Sequence, residues 1–300
     1  MNNNYLTYIC CPKCKGELIL KDSLLICINC NTTYEIKEGI PILINKNTLN
    51  KHLIGQIKYF ENEMDDVFNN YKLEAWQESY VKRFMDNFSN VKNALILDCG
   101  VGSGYMAIEL AKRGSNVVAC DLTLKNLIKL KNIASSQNML DNITFICCSA
   151  EELPFKKNIF NYYISNAVLE HLPREKEAIE EINRVCKNIS GVMIVVPLLY
   201  NYINPLFLPL NIIHDIRIGH LRRYSEDILI NKFHRFTLVK KYYTGHSKKV
   251  FKVLCNILLR KNVFNDYEIE KEDEKKQDNK LFASNIICFF KRVESKANHD

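Results

Sequence analysis

No run of about 18 or more uncharged apolar residues exists in this 300-residue chain, so no membrane-spanning helix is expected. The N-terminus lacks the charged-then-apolar pattern of a secretory signal, which makes the cytoplasm the expected location. Dense Lys/Arg blocks are also missing. A net charge of +7 and a pI near 8.7 permit an anionic partner without requiring one. What the chain does have is apolar residues, 47% of the total, enough for a real core. Its length suits one main domain with appendages. It also has 12 cysteines, which without a signal argue for reduced thiols, some of them metal ligands.

Four of those cysteines are paired near the start, as Cys11-Pro-Lys-Cys14 and Cys27-Ile-Asn-Cys30. Each C-x-x-C can bend as a knuckle that aims two thiolates at one ion, and two knuckles on facing hairpins make a closed tetrahedral Cys₄ zinc site. Short strands over 16–20 and 24–26 provide the hairpin. With four ligands filled the Zn2+ is structural, and metal binding would be most of the folding energy of so small a segment. Disulfides or chance thiols are the competing readings. Cys10, beside the first knuckle, is either a spare thiol or a competing ligand.

Further on, an apolar run at 95–97 is closed by Asp98, and Gly100, Gly102 and Gly104 form a turn opening a helix over 105–113. Such a turn lets backbone approach a ligand and points free N–H groups at it. A second apolar run ends on Asp121, where a doubly wound fold grips ribose hydroxyls. Asp121 as an N-cap for the next helix is the plainer alternative, compatible with the first. From residue 93 onward strands alternate with helices, the pattern of a parallel sheet covered on both faces. Strands are expected at 94–98, 116–120, 143–147, 162–165 and 192–196, and helices at 103–113, 124–136 and 174–187. Each strand is short and continuously apolar, as strands buried on both faces should be.

The strand ends carry further motifs. Together Leu97-Asp-x-Gly-x-Gly-x-Gly104, Asp121, Ala150-Glu-Glu-Leu-Pro-Phe155, Phe160-Asn161 and Val168-Leu-Glu-His171 resemble the class I S-adenosylmethionine-dependent methyltransferases, in the branch with ubiquinone and menaquinone methyltransferases. The resemblance covers about residues 93 to 200. It implies an α/β, Rossmann-like, seven-stranded methyltransferase sheet and S-adenosylmethionine as cofactor. It places Gly100, Gly102 and Gly104 under the methionine and ribose portion and Asp98 near its amino group. It also puts Asp121 on the ribose hydroxyls, Leu122 on adenine, Ala150 and Glu151 at the adenine edge, and Asn166 beside the sulfonium. Ser149 stands where the family commonly has an acid, and Asn161 where it has an Asp. Residues 5–44, with a C-P-x-C, a second C-x-x-C, Tyr34 and Gly39-Ile-Pro41, resemble the zinc-ribbon family of tRNA-methyltransferase activators.

This organises the chain as a zinc ribbon over 1–46, a helical linker or cap over 47–92 and a methyltransferase domain over 93–293. In 47–92, helices are read at 57–69 and 73–88. They are either a packed pair covering the sheet edge or a lid whose aromatics, such as Tyr59 or Tyr71, close over the cofactor. Within the main domain 197–225 is an acceptor-side insertion and 266–280, a mixed-charge run, a solvated mobile loop. The apolar stretch 197–214 is too short and too broken by prolines to span a bilayer. It is either ordinary packing or an apolar lid with peripheral membrane contact for a lipid-linked acceptor. The turn Gly219-His-Leu-Arg-Arg-Tyr-Ser225 resembles one found in this branch in enzymes of glycan and lipid-linked pathways. Arg222 and Arg223 there are either acceptor-binding or salt-bridged. His171 is the first candidate base and His220 the second.

The expected function is methyl transfer to a small or lipid-linked, glycan-type acceptor. An RNA methyltransferase, with the ribbon docking tRNA or rRNA or a partner, is the main alternative. Against it, the Asn/Asp-Pro-Pro-Tyr tetrad, stacking platforms and basic stripes are missing, so a nucleic-acid partner is the weaker expectation. A non-catalytic cofactor-binding module is the third reading.

Overall fold

The computed structural model describes residues 3–63, 71–259 and 265–292. The ribbon supplies β1 (Leu18–Lys21), β2 (Leu24–Cys27), β3 (Thr33–Lys37) and β4 (Ile40–Leu43). Two helices follow, α1 (Lys51–Glu63) and α2 (Ala75–Asn87). The alternating region then runs β5 (Leu95–Cys99), α3 (Tyr105–Lys112), β6 (Asn116–Asp121), α4 (Leu124–Ser136), β7 (Ile143–Cys148), β8 (Phe160–Asn166), α5 (Glu175–Val185) and β9 (Cys186–Pro197). Last come α6 (Leu208–Ile218), α7 (Glu226–Lys232), β10 (Thr237–Thr244), α8 (Ser247–Leu259), α9 (Asp266–Glu274) and β11 (Asn285–Arg292).

The strands line up as β1-β2-β3-β4-β7-β6-β5-β8-β9-β11-β10. β7, β6, β5, β8 and β9 pair in parallel, and β11 joins β9 antiparallel. The apolar strands read continuously because consecutive side chains enter different layers. Ile96 packs with Met106, Leu110, Leu127 and Leu130 on one face, while Leu97 packs with Ile179, Ile182 and Leu229 on the other. Both faces are therefore dry, and each fully buried aliphatic side chain contributes about 1.5–3 kcal/mol.

Three expectations need correction. The seven-stranded sheet does not stop at β7, because β4 pairs with it in parallel at Ile42↔Cys147 and Leu43↔Cys148. The Gly-Ile-Pro strand thus covers what would be an open edge, a liability that sheets manage by pairing. The ribbon also docks ahead of that strand: Cys10 N–H donates to Pro154 O at 2.8 Å, and Lys156 N–H to Tyr8 O at 2.9 Å. Second, 266–280 is no mobile loop, since α9 occupies its first half and packs on α2. Its charges are paired: the buried Asp273 carboxylate accepts from Gly245 N, His246 N and Thr244, and Lys249 reaches Glu270. A mixed-charge run looks solvated until its partners arrive from elsewhere in the chain. Third, α1 begins at Lys51 and not at 57; Met64 and Phe68 lie outside the described residues.

Candidate functional site

The glycine turn is built by backbone geometry. Gly100, Gly102 and Gly104 have φ of +70°, +50° and +75°, a region costly for side chains. Gly100 N–H and Val101 N–H both donate to Cys120 O, at 2.8 and 3.0 Å, tying the turn to β6. Two of the three glycines are also demanded by packing. A Cβ on Gly104 would meet Leu130 at 2.1 Å and one on Gly100 would meet Val168 at 2.3 Å. At Gly102 nothing but the Gly100 carbonyl lies within 4 Å, so that position faces open space.

Asp98 and Asp121 flank this turn with opposite degrees of satisfaction. Asp121 accepts from Gly102 N at 3.1 Å and from Thr123 N at 2.8 Å, so it braces the loop and starts α4 through an Asx turn. The N-cap of α4 is Thr123, so Asp121 supports that helix from two residues ahead of it and does not itself cap it. Asp98 is 4% exposed and its Oδ2 has no partner. Burial pushes its pKa up to about 8, so the ligand-free site holds a neutral acid. An orphaned acid beside a left-handed glycine turn with room at Gly102 is a donor set that fits the ammonium and ribose of S-adenosylmethionine.

Next in the ring of strand ends come Leu122, half-buried after β6, and the short 3₁₀ turn Ala150–Glu152 after β7. Ser149 caps that turn, its Oγ accepting from Glu151 N at 3.2 Å. Glu151 differs from expectation. Its buried carboxylate accepts from Arg174 N at 2.6 Å and Arg174 Nε at 3.1 Å, so it clamps the start of α5 instead of facing the adenine edge. Asn161, the other departure, accepts from Leu95 N at 3.0 Å and ties β8 to β5. Asn166 donates to Tyr105 OH at 3.0 Å, and Trp76 packs edge-on against Tyr105. The N-terminal end of α2 therefore sits over the glycine turn. Trp76 and Tyr105 were missed in the sequence because their spacing reads as ordinary helix core.

Beyond Asn166 the chain turns sharply. Ala167 has φ +55°, a left-handed value for a non-glycine residue, and it re-aims the chain into the turn Leu169–His171. Glu170 is fully buried, with neither carboxylate oxygen partnered, and burial raises its pKa to about 8. His171 is 8% exposed; burial and then the neighbouring His220 lower its pKa to about 3. Such a ring is neutral at ordinary pH and too weakly basic for the general-base role expected of it. The two rings meet edge-on at 4.7 Å. His220 is anchored through Nδ1 to Asp215 Oδ1 at 2.8 Å, and Arg223 forks the same carboxylate at 2.5 and 2.8 Å. Burial alone would raise the Asp215 pKa, but the hydrogen bonds from His220, Arg223 and Tyr200 hold it well below the usual carboxylate range.

Both arginines of the 219–225 turn are consumed within the protein, which settles their alternative toward structure. Arg222 donates to Leu169 O and Leu172 O, and Arg223 to Leu198 O besides Asp215. Leu221 N–H donates to Glu170 O at 2.8 Å, so this turn is pinned directly beneath the cluster. From above, α1 crosses it: His52 Nε2 lies 3.0 Å from His171 O, Gln56 donates to Ile218 O, and Phe60 packs on the His171 ring. α1 thus crosses the strand ends, and α2 packs with Phe84 and Phe88 against Tyr162. Tyr71 turns aside to Glu109, and Tyr59 meets Phe60 edge-on.

At the ribbon, Cys11, Cys14, Cys27 and Cys30 converge with all sulfurs within 4.8 Å of one another. Cys11 and Cys30 are 3.8 Å apart and Cys14 and Cys27 3.4 Å, close to the roughly 3.8 Å edge of a tetrahedron with ~2.3 Å zinc–sulfur bonds. The donor set fits a structural zinc ion. Cys10 stands outside it.

Residues 97–194 match the family described as a methyltransferase domain. Residues 97–194 therefore form a methyltransferase domain. Among curated proteins, the domain resembles the ubiquinone/menaquinone biosynthesis C-methyltransferase UbiE of Rickettsia bellii, 32% identical over 130 residues. That match covers 41% of this chain and 50% of the relative. UbiE of Rickettsia akari is 28% identical over 160 residues, covering 51% and 59%. The chain thus spans about half the length of the curated relatives it matches. The fold is shared with the geranyl diphosphate C-methyltransferase of Streptomyces coelicolor, at TM-score 0.61 and 13% identity, covering 81% of this chain and 99% of that one.

Proposed function

We propose that the protein transfers a methyl group from S-adenosylmethionine to a small or lipid-linked acceptor. The observation that carries this is Asp98, a buried acid with an unpartnered oxygen, set beside a glycine turn whose middle member faces open space. Asp98 would take the cofactor's amino group, Gly100, Gly102 and Gly104 would let backbone run beneath it, and Asp121 would offer its remaining lone pairs to ribose. Leu122 and Ala150 would flank adenine, with the Ser149 hydroxyl near its edge. Bound there, S-adenosylmethionine supplies a methyl group already activated on a sulfonium.

The protein's part is then largely positioning. In-line displacement rewards alignment and exclusion of water, which Asn166, Tyr105 and the α1 cover would provide. His171 and His220 line the acceptor side; His220, with Nδ1 held by Asp215, keeps Nε2 for an acceptor proton, an Asp–His arrangement suited to that task. A lipid-linked acceptor is supported by α6 and the turn before it, where Leu206, Ile213 and Ile216 are 75%, 62% and 76% exposed. Such a patch beside the acceptor side suits shallow insertion among lipid headgroups. The Cys₄ cluster would hold one structural Zn2+ that keeps β4 in place at the sheet edge.

The test is incubation of the protein with isotope-labelled S-adenosylmethionine and a cell extract, followed by phase separation. Label in the organic phase supports the lipid-linked acceptor, and label on aqueous small molecules leaves the methyltransferase standing with a soluble one. Label in the nucleic-acid fraction would overturn the small-molecule reading. Absence of both label and cofactor binding would overturn the whole.

A further inference from the structure

Glu170, His171 and His220 present an arrangement that an apolar, metal-free turn has no reason to keep. Each residue offers one ligand atom, and the three atoms lie within 4.8 Å of one another. Glu170 is 0% exposed with both oxygens unpartnered, and His171 Nδ1 is buried and unpartnered. Leaving such groups unmet costs roughly 1–3 kcal/mol each, more when charged.

We propose that Glu170, His171 and His220 form a three-ligand binding site for a divalent transition-metal ion, separate from the Cys₄ cluster. The His220 tautomer is already set for it. His220 donates Nδ1–H to Asp215 at 2.8 Å, leaving Nε2 as a lone-pair donor 3.7 Å from Glu170 Oε1. On the His171 ring, Nδ1 is buried with no hydrogen-bond partner, which leaves it available as a ligand. Imidazoles held from behind by a carboxylate or a carbonyl are the usual outer shell of a metal site. Asp215 is itself fixed by Arg223, so the support extends one layer further.

Two nitrogens and one carboxylate select the ion class. Imidazole suits zinc, iron, nickel or copper, whereas magnesium and calcium favour all-oxygen sites. Metal–ligand bonds of about 2.0–2.2 Å need ligand edges of about 3.0–3.6 Å. The His220–Glu170 pair is nearly there at 3.7 Å. Closing the rest takes a shift on the order of an ångström, within reach of a rotation of the unbonded Glu170 carboxylate. Three protein ligands leave open positions, as in catalytic rather than structural sites. With the ion bound, His220 Nε2 is a ligand and no longer takes the acceptor proton; a hydroxyl of the acceptor on the ion would instead lose its proton more readily, to solvent. That role rests on the methyl-transfer reading; the existence of the site does not.

The experiment is titration of the chelator-stripped full chain with Co2+ alone, followed by absorption spectroscopy. About two equivalents are expected, one with sulfur-to-metal charge-transfer bands and one with only the weaker bands of a nitrogen–oxygen set. Glu170→Gln and His220→Gln should abolish the second equivalent and retain the first, whose thiolate bands also report that the ribbon is folded. One equivalent in the unmodified protein, all of it thiolate-bound, overturns the proposal even if neither variant folds. A second equivalent that persists in both folded variants does so too. Binding of S-adenosylhomocysteine, measured by calorimetry on the same stripped protein, reports on the cofactor reading separately.

Discussion

In the proposed binding mode Asp98 couples cofactor binding to pH, and the coupling has a size. Burial lifts its pKa from 3.8 to about 8, so near pH 6 the ligand-free protein holds it protonated. An ammonium group placed beside it favours the carboxylate, and binding must expel that proton. For the ligand-free protein the sign is that of a raised acid: the stability is complete below 3.8 and is lost as pH rises through about 8. Affinity runs the other way, increasing by up to about tenfold per pH unit below the raised pKa, or about 1.4 kcal/mol. The ligand's own α-amino group deprotonates near pH 7.7–8 and ends the gain there. Between about pH 5.5 and 7.5 the affinity for S-adenosylhomocysteine should therefore rise up to ~100-fold, or ~2.7 kcal/mol. Calorimetry in two buffers of different ionisation enthalpy should show close to one proton released near pH 6. Asp98→Asn, equal in size and unable to ionise, should bind more weakly and without the slope. A pH-independent affinity with no proton release, or the same slope in the variant, would refute the assignment.

The two glycines ahead of α3 should separate fold from function. Gly104→Ala drives a Cβ to 2.1 Å from Leu130 at φ +75° and should lower stability by about 1–3 kcal/mol in thermal unfolding. Gly102→Ala meets no side chain and carries only the backbone strain of φ +50°, about 1 kcal/mol, so its unfolding midpoint should fall less than that of Gly104→Ala while calorimetry finds cofactor binding lost. Asp273→Ala removes the acceptor from a buried cluster with His246 and Thr244 and should cost about 3–5 kcal/mol by chemical denaturation; little effect would mean α9 is not anchored. Burial acts to raise the Asp273 pKa, but the hydrogen bonds from His246 and Thr244 and the charge of Lys249 depress it, so its contribution should be present above about 3.8 and fade as pH falls. Stripping metal with a chelator should expose Cys11, Cys14, Cys27 and Cys30 to thiol reagents well before the buried Cys99, Cys120 and Cys148 react. Simultaneous reaction would show that ribbon and sheet unfold together.

Much of this protein is written in short segments. The apolar runs ending at Asp98 and Asp121, the three glycines and the two C-x-x-C knuckles are local patterns, and the structure keeps each where its spacing put it. The strand boundaries shift by a residue or two at most for β5, β6 and β7 because burial on both faces leaves a continuous apolar signal. The less legible parts share one cause. Glu151 resembled a cofactor contact until Arg174 took its carboxylate, and the charged run at 266–280 resembled a loop until α2 and His246 supplied partners. Arg222 and Arg223 were open between ligand and structure until carbonyls of the 169–172 turn and Asp215 claimed them.

The sequence alone therefore determined the fold class, the cofactor side and the cysteine cluster, because periodicity, left-handed glycines and knuckle spacing act over a few residues. Only the tertiary structure decided which side chains gather around His171. Glu170 and His171 come from the end of β8, His220 and Asp215 from the insertion after β9, and His52 and Phe60 from α1. Their meeting depends on how a parallel sheet gathers its strand ends, and no stretch of neighbouring residues encodes that convergence.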